Sequence, residues 1–175
     1  MKIGIYGGSF NPIHFGHIGL AKWVAENTDL DEVWLMVSPN NPLKDKSILA
    51  DEQQRLADAK KAIRQLGDEA KSKIIVSDFE FHLPRPTYTA NTLRALQQAY
   101  PEHEYTLIIG EDNLTIFPQW REYQYILLHY RIFVYPRRKA KGDEGKGDEA
   151  MKIIFLEGAP YFDISSTELR KNLHN

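Results

Sequence analysis

The chain reads as an α/β domain: a five- or six-stranded, mostly parallel sheet with helices on both faces. Three observations predict this. Short apolar runs rich in β-branched residues recur along the chain, helical patterns separate them, and residues suited to chemistry stand directly after the runs. Unbroken apolar strands suit a sheet covered on both faces, and strands alternating with helices favour parallel pairing. In such sheets, ligands sit beyond the carboxyl ends of the strands, near the switch point of strand order.

Ile3 to Tyr6 is the first strand, followed by Gly7 and Gly8 and then a helix from Phe15 to Glu26. Glu32 to Ser38 (EVWLMVS) is the second strand and ends in the turn Pro39-Asn40-Asn41-Pro42. Asp51 to Leu66 places apolar residues at 56, 59, 63 and 66, a helical spacing, with Gly67 as its stop signal. Lys73 to Phe79 (KIIVSDF) is a third strand. Thr92 to Tyr100 is a helix ended by Pro101, and Tyr105 to Ile109 (YTLII) is a fourth strand before Gly110. Arg131 to Tyr135 (RIFVY) and Lys152 to Leu156 (KIIFL) supply two more, and Ser165 to Leu173 is a closing helix. Between the last two strands, the stretch over 139–149 (KAKGDEGKGDE) is glycine-rich, charge-balanced and without apolar anchors, so it reads as a flexible solvent-exposed loop. The order is that of a single Rossmann-like domain over residues 1–175.

Composition narrows the function classes. A chain of 175 residues supports one domain with a sizeable core and is short for two. Its net charge of −2 creates no field toward nucleic acid or an anionic membrane. The absence of cysteine excludes disulfides, thiolate catalysis and Cys-ligated zinc, and fits a cytoplasmic protein. No apolar stretch reaches membrane-spanning length, and Gly7 and Gly8 interrupt the N-terminus before a signal-peptide core could form.

The stretch GGSFNPIHFGH (Gly7 to His17) carries the most chemistry. Gly7 and Gly8 allow a sharp turn and close backbone approach to a ligand, with Ser9 and Phe10 in the same loop. His14 and His17 stand three residues apart where the helix begins, so ring N–H donors join the backbone N–H groups of a helix N-terminus. That combination suits a phosphate. It is not a Walker A loop, since no Gly-Lys-Ser/Thr follows the glycines. At the other end, DISSTELR (Asp163 to Arg170) is a capping-box pattern, Ser165 with Glu168. It also offers the hydroxyls of Ser165, Ser166 and Thr167, and the charge of Arg170, to a polyphosphate.

These two segments resemble the HxGH and ISSTxxR signatures of the nucleotidylyltransferases. TYTANTL (Thr87 to Leu93) and LIIGEDNLTIFPQW (Leu107 to Trp120) look like the SYTxxTL and IGxDxLxxxPxW segments of the bacterial nicotinate-mononucleotide adenylyltransferases. The resemblance runs over nearly the whole chain and implies adenylyl transfer from ATP to nicotinate mononucleotide, giving nicotinate adenine dinucleotide and pyrophosphate. It implies ATP contacts at Gly7, Gly8, Ser9, Phe10, His14, His17, Gly110, Asp112, Ser165, Ser166, Thr167 and Arg170. His14, His17, Lys44 and Arg170 carry the transition-state charge. On the acceptor side stand Asn40, Lys44, Thr89, Trp120 and the Arg121 backbone. Mg²⁺ arrives with ATP, no protein metal site is implied, and a homo-oligomer stays open.

Structural readings stand beside these roles: Thr89 as a helix-entrance residue, Trp120 as core filler, Asp112 as a helix cap. The chain departs from the family pattern in the loop Asn40-Asn41-Pro42-Leu43-Lys44, which lacks the usual Pro-Pro-His ending. It also stops soon after ISSTxxR, where family members continue into a further helix. Phosphopantetheine adenylyltransferases share both signatures but carry Thr where His14 stands and lack the Trp120 segment. A nucleotide-binding module without turnover is the reading from another class.

Overall fold

The computed structural model describes residues 1–39, 51–136 and 152–160. β1 (Lys2–Gly8) leads through a loop to α1 (Phe15–Asn27) and β2 (Glu32–Val37). Then come α2 (Glu52–Arg64), the single turn α3 (Asp68–Lys71), β3 (Ile74–Ser77) and a 3₁₀ turn over Phe79–His82. α4 (Thr89–Ala99) precedes β4 (Glu104–Gly110), which runs directly into α5 (Glu111–Ile116) and a 3₁₀ turn over Phe117–Gln119. α6 (Tyr123–His129), β5 (Arg131–Tyr135) and β6 (Ile153–Phe155) complete the described elements.

The six strands form one sheet in the order β3-β2-β1-β4-β5-β6. Every pairing is parallel, with Ile5 opposite Trp34 on one side of β1 and opposite Leu107 on the other. The chain winds outward from β1 to β3, then returns to place β4 against β1. That reversal is the switch point at which an open parallel sheet leaves a crevice.

Period-two alternation sends neighbouring residues of each strand to opposite faces. Tyr6, Leu35, Ile108 and Phe133 pack with Leu20, Val24, Leu56 and Ile63 on the α1/α2 side. Ile3, Ile5, Leu107, Ile109 and Ile132 pack with Leu93, Leu96 and Ile126 on the α4/α6 side. Gly4 lies where the first layer closes most tightly on β1. A Cβ there would sit 2.6 Å from Leu30 Cδ1 and 2.8 Å from Ile108 Cδ1.

At the amino-terminal end of the strands, Asp29 accepts from Arg131 Nη1 and Nη2 (3.0 and 2.7 Å) and from Lys2 Nζ (3.1 Å), tying the start of β1 to the start of β5. The Arg131 hydrogen bond is the main cause that lowers the Asp29 pKa from 3.8 to about 2. A depressed folded-state pKa means stability present above the unfolded value and lost as pH falls through the folded one. Asp29→Asn should therefore be slightly less stable than the unchanged chain at neutral pH, because the group is partly exposed and screened. The gap should close as pH falls below 3.8 toward about 2. Thermal melts of both proteins across that range check it, and a gap that persists at the acid end would refute the assignment.

All six sequence-predicted strands are present. The helix expected over Thr92 to Tyr100 begins three residues earlier, at Thr89. α3, α5 and α6 were not anticipated, being too short (4, 6 and 7 residues) to display two turns of apolar periodicity. The closing helix and the 139–149 loop lie outside the described residues.

Candidate active site

The expected turn at Gly7 and Gly8 falls later. Both glycines belong to β1, and the turn falls at Asn11 and Pro12, just after Phe10, whose φ of 48° puts a bulky side chain in the left-handed region. Such a backbone costs on the order of 1–3 kcal/mol and persists only where its surroundings enforce it. Here the Phe10 ring is buried edge-on against Tyr6 (5.6 Å between centroids) and against His17 (4.9 Å). Gly7 has another use: a Cβ there would meet nothing nearer than the Met36 carbonyl at 4.0 Å, so the missing side chain leaves open space along the strand end.

His14 and His17 form the N-terminal cap of α1 with their own imidazoles. His14 is the N-cap residue, and its Nδ1 accepts from the Gly16 N–H at 3.0 Å. His17, one turn on, turns its Nδ1 back to accept from the His14 N–H at 3.1 Å. The reciprocal geometry is that of a capping box, with two histidines in place of the usual hydroxyl and carboxamide. An Nδ1 that accepts a hydrogen bond carries its lone pair, so the ring proton of each neutral imidazole resides on Nε2. The rings stack at 3.7 Å between centroids, 23° apart in plane. The expectation that backbone N–H groups of this helix end face a ligand is thus modified: imidazole Nδ1 atoms already hold two of them, and the proton each ring can offer is the one on Nε2.

Tyr6, Gly7, Gly8, Ser9, Phe10, His17, Asp112, Asn113 and Tyr135 enclose a cleft of about 160 Å³. These residues follow or end β1, β4 and β5, so the cleft stands at the β1/β4 switch point. Gly110 caps α5 by its backbone, with no side-chain cap bond, and Asp112 lies in the first turn of that helix. The cap reading of Asp112 therefore does not hold at the N-cap position, while its place in the cleft wall does. Asp112→Ala should weaken nucleotide binding about tenfold with little change in melting temperature, on the scale of a hydrogen bond to a charged group. Calorimetric titration with ATP beside a thermal melt would decide: a large loss of stability at unchanged affinity makes the residue purely structural.

The predicted acceptor residues form a second group. Thr89 is the first residue of α4, directly after Tyr88. The Arg121 guanidinium sits over the Tyr88 ring at 4.8 Å, which brings the Thr89 segment beside Trp120 and Arg121. Trp120 is half-buried, 5.1 Å from Phe117 between ring centroids. It shares in the packing of one face of the sheet, so the filler reading has partial support, and Thr89 does stand at the helix entrance. Asn40, Lys44, Ser165, Ser166, Thr167 and Arg170 lie outside the described residues.

Two buried residues of this end of the sheet were missed by sequence reading. Arg55 on α2 is 1% exposed, and its Nη1 donates to the carbonyls of Ser9 and Ser38, both at 2.7 Å. Burial lowers its pKa, while Glu52 and Asp51 oppose that shift. A signal was present: positions 55, 59 and 63 fall on one stripe of the helix, which made Arg55 a charge on an apolar face. Glu80 is buried in the first 3₁₀ turn and accepts from Thr92 Oγ1 (2.8 Å) and Thr87 Oγ1 (3.2 Å). Burial pushes its carboxyl up, and hydrogen bonding led by Thr92 opposes that shift. Its sequence context, between two phenylalanines, gave no sign of this.

Among the described residues no group of three or more His, Asp or Glu could hold a metal ion, and no helix is long and apolar enough to cross a membrane.

The cytidylyltransferase-like family matches residues 5–172. A Flavobacterium psychrophilum protein named "probable nicotinate-nucleotide adenylyltransferase" is 46% identical over all of this chain and 88% of its own length. A Bacteroides fragilis protein of the same name is 45% identical over 98% of this chain and 82% of its own. Among solved structures, the nicotinic acid mononucleotide adenylyltransferase of Plasmodium falciparum, complexed with NaAD, superimposes with a TM-score of 0.77 at 24% identity. That match covers 97% of this chain and 82% of the other, and shows the shared fold. With two histidines capping a helix at the switch point of a 3-2-1-4-5-6 parallel sheet, and with these relatives along its whole length, the chain belongs to the nicotinate-nucleotide adenylyltransferases of the cytidylyltransferase-like family.

Proposed function

We propose that this chain transfers the adenylyl group of ATP to nicotinate mononucleotide in NAD biosynthesis, as one cytoplasmic domain spanning residues 1–175. The observation that carries the reading is the histidine pair. Both Nδ1 atoms are committed to backbone N–H groups, so the proton of each neutral ring lies on Nε2, and the His17 ring lines the cleft at the β1/β4 switch point. A phosphate oxygen of the mononucleotide attacks the α-phosphorus of ATP in line. The new P–O bond forms as the bond to the bridging oxygen breaks, and pyrophosphate leaves with the electron pair. The attacking oxygen is already anionic, so no protein base is needed, and catalysis reduces to positioning and charge stabilisation.

His17 and His14 donate from Nε2 to the α-phosphoryl region, and the backbone of Gly7, Gly8, Ser9 and Phe10 lies along the nucleotide. Gly110 permits close approach, and Asp112 accepts from a ribose hydroxyl. Lys44 and Arg170 supply cations, and Ser165, Ser166 and Thr167 supply neutral donors to the polyphosphate. On the acceptor side, Trp120 stacks on the pyridine ring. Thr89 and the Arg121 N–H receive its carboxylate, and Asn40 lies along the mononucleotide. Mg²⁺ enters as part of the ATP substrate, neutralising phosphate charge while keeping much of its own water.

The test is pyrophosphate release from ATP with nicotinate mononucleotide, nicotinamide mononucleotide and phosphopantetheine offered separately. Release with the first is expected. Release with phosphopantetheine alone would move the chain to the pantetheine enzymes, and release with none would make it a binding module.

A further inference from the structure

The side chain of Arg55 crosses from α2 to the carboxyl end of the sheet. The β1–β2 register ends with Gly8 opposite Val37, and the Ser38 N–H donates to the Gly8 carbonyl at 2.9 Å. Just beyond that bond, the carbonyls of Ser9 and Ser38 both accept from Arg55 Nη1 at 2.7 Å. The guanidinium thus extends the ladder one step past the last strand residues, with charge-assisted bonds in place of amide ones. A buried cation is costly unless hydrogen bonds hold it, and its gain over apolar packing is small. What this arginine supplies is a fixed place for the Ser9 carbonyl.

That place bears on the residue after it. A peptide unit is planar, so the Ser9 oxygen lies in one plane with the Phe10 nitrogen and the Cα atoms of both residues. Holding the oxygen fixes the plane against which the φ of Phe10 is set, and that φ is 48°, in the left-handed region. A bulky residue stays there only where its surroundings enforce it. The Phe10 ring that results is buried and meets the His17 ring edge-on at 4.9 Å. The line of contacts runs from Arg55 through Ser9 and Phe10 to His17, whose imidazole lines the cleft. Arg55 itself is 1% exposed, so it has no surface with which to meet a substrate.

We infer that Arg55 is a positioning residue for adenylyl transfer: it holds the Ser9 carbonyl, and so the left-handed Phe10, in the place that braces the His17 imidazole. The inference rests on the adenylyl-transfer reading and on His17 as a donor within it.

The test is a double-mutant cycle read by pyrophosphate release from ATP and nicotinate mononucleotide, at a temperature where thermal melts show each protein folded. Lysine keeps the charge but ends one bond short and lacks the planar fork, so Arg55→Lys frees the Ser9 carbonyl to shift. Its kcat should fall about tenfold to a hundredfold, the scale of a small misplacement of a catalytic group, with KM for each substrate within about threefold. Placed on His17→Ala, the same substitution should cost less than about threefold more, because the donor it positions is already gone. Leu56→Ala, the next residue on α2 and part of the core, controls for plain destabilisation: its effect on kcat should be small and equal on both backgrounds. A second readout needs no turnover. In nitrogen NMR spectra of histidine-labelled protein, the His17 Nδ1 signal should move in Arg55→Lys and stay in Leu56→Ala. Arg55→Gln, which removes the charge and keeps an NH₂ donor, is carried through the same measurements. Unchanged kcat in Arg55→Lys and Arg55→Gln, losses that add in full to that of His17→Ala, or an unmoved His17 signal overturn the proposal. So does failure of both Arg55→Lys and Arg55→Gln to fold, which makes Arg55 a residue of the fold alone. Pyrophosphate release by the unchanged protein with an additive cycle defeats the positioning role only, whereas no release defeats the activity reading and the positioning role with it.

Discussion

His17→Ala is expected to lose about 10²–10³ of turnover while the protein stays folded, the usual effect of removing one preorganised donor from a developing oxyanion. Three contacts hold the imidazole before any substrate arrives. Its Nδ1 is fixed by the His14 N–H at 3.1 Å, one ring face by the His14 stack, and an edge contact by Phe10. A donor held this way needs no reorganisation as charge develops on the α-phosphoryl oxygens. The substitution also removes a capping partner, which typically costs about 0.5–2 kcal/mol of stability. The two losses separate by measurement: turnover under saturating ATP and mononucleotide reports the donor, and a denaturant titration reports the cap. A variant destabilised by that amount yet turning over normally would leave His17 a capping residue and nothing more.

The second large effect concerns the acceptor. Nicotinate mononucleotide should be used in preference to its amide by tenfold to more than a hundredfold in kcat/KM, following from the cost of about 1–3 kcal/mol for a buried donor left unsatisfied. The proposed stacking on Trp120 would contribute affinity but distinguish nothing, because the two pyridine rings are nearly alike. Under the proposed arrangement discrimination would fall to the Thr89 hydroxyl and the Arg121 N–H; the Arg121 guanidinium lies over the ring of Tyr88, the residue before Thr89. A carboxylate accepts from both donors, and its charge strengthens each bond. A carboxamide satisfies one and confronts the other with its NH₂ group. Trp120→Ala should therefore weaken both acceptors together, whereas Thr89→Ala should narrow the gap between them. Comparing kcat/KM for acid and amide on the three proteins tests this. Equal use of both by the unchanged protein would defeat the acceptor assignment and leave adenylyl transfer standing.

Much of this arrangement was legible without coordinates because it is local. The strands are continuous apolar runs, so they announce themselves within five or six residues, and all six appear in the sheet. His14 and His17 are three residues apart at a helix start, a spacing at which capping geometry brings N-cap and N3 side chains together. The cleft at the β1/β4 switch point follows from strand–helix alternation and the position of the glycines. Where local reading failed, it failed for lack of local signal. A six- or seven-residue helix such as α5 or α6 has too little length for periodicity, and the left-handed Phe10 is enforced by rings from Tyr6 and His17.

The sequence by itself determined the parallel α/β sheet, the place of the loop after β1 and the two histidines that stand at the start of the helix after it. Tertiary structure alone decided which way those imidazoles present their protons, that the chain turns at Asn11 and Pro12 rather than at the glycines, and that Arg55 and Glu80 are buried on hydrogen bonds at this end of the sheet. Arg55 reaches carbonyls 46 and 17 residues away. Those partners exist only because parallel register brings the ends of β1 and β2 level beneath α2. A sequence displays the charge of an arginine, but the carbonyls it holds are set by the packing of strands far apart along the chain.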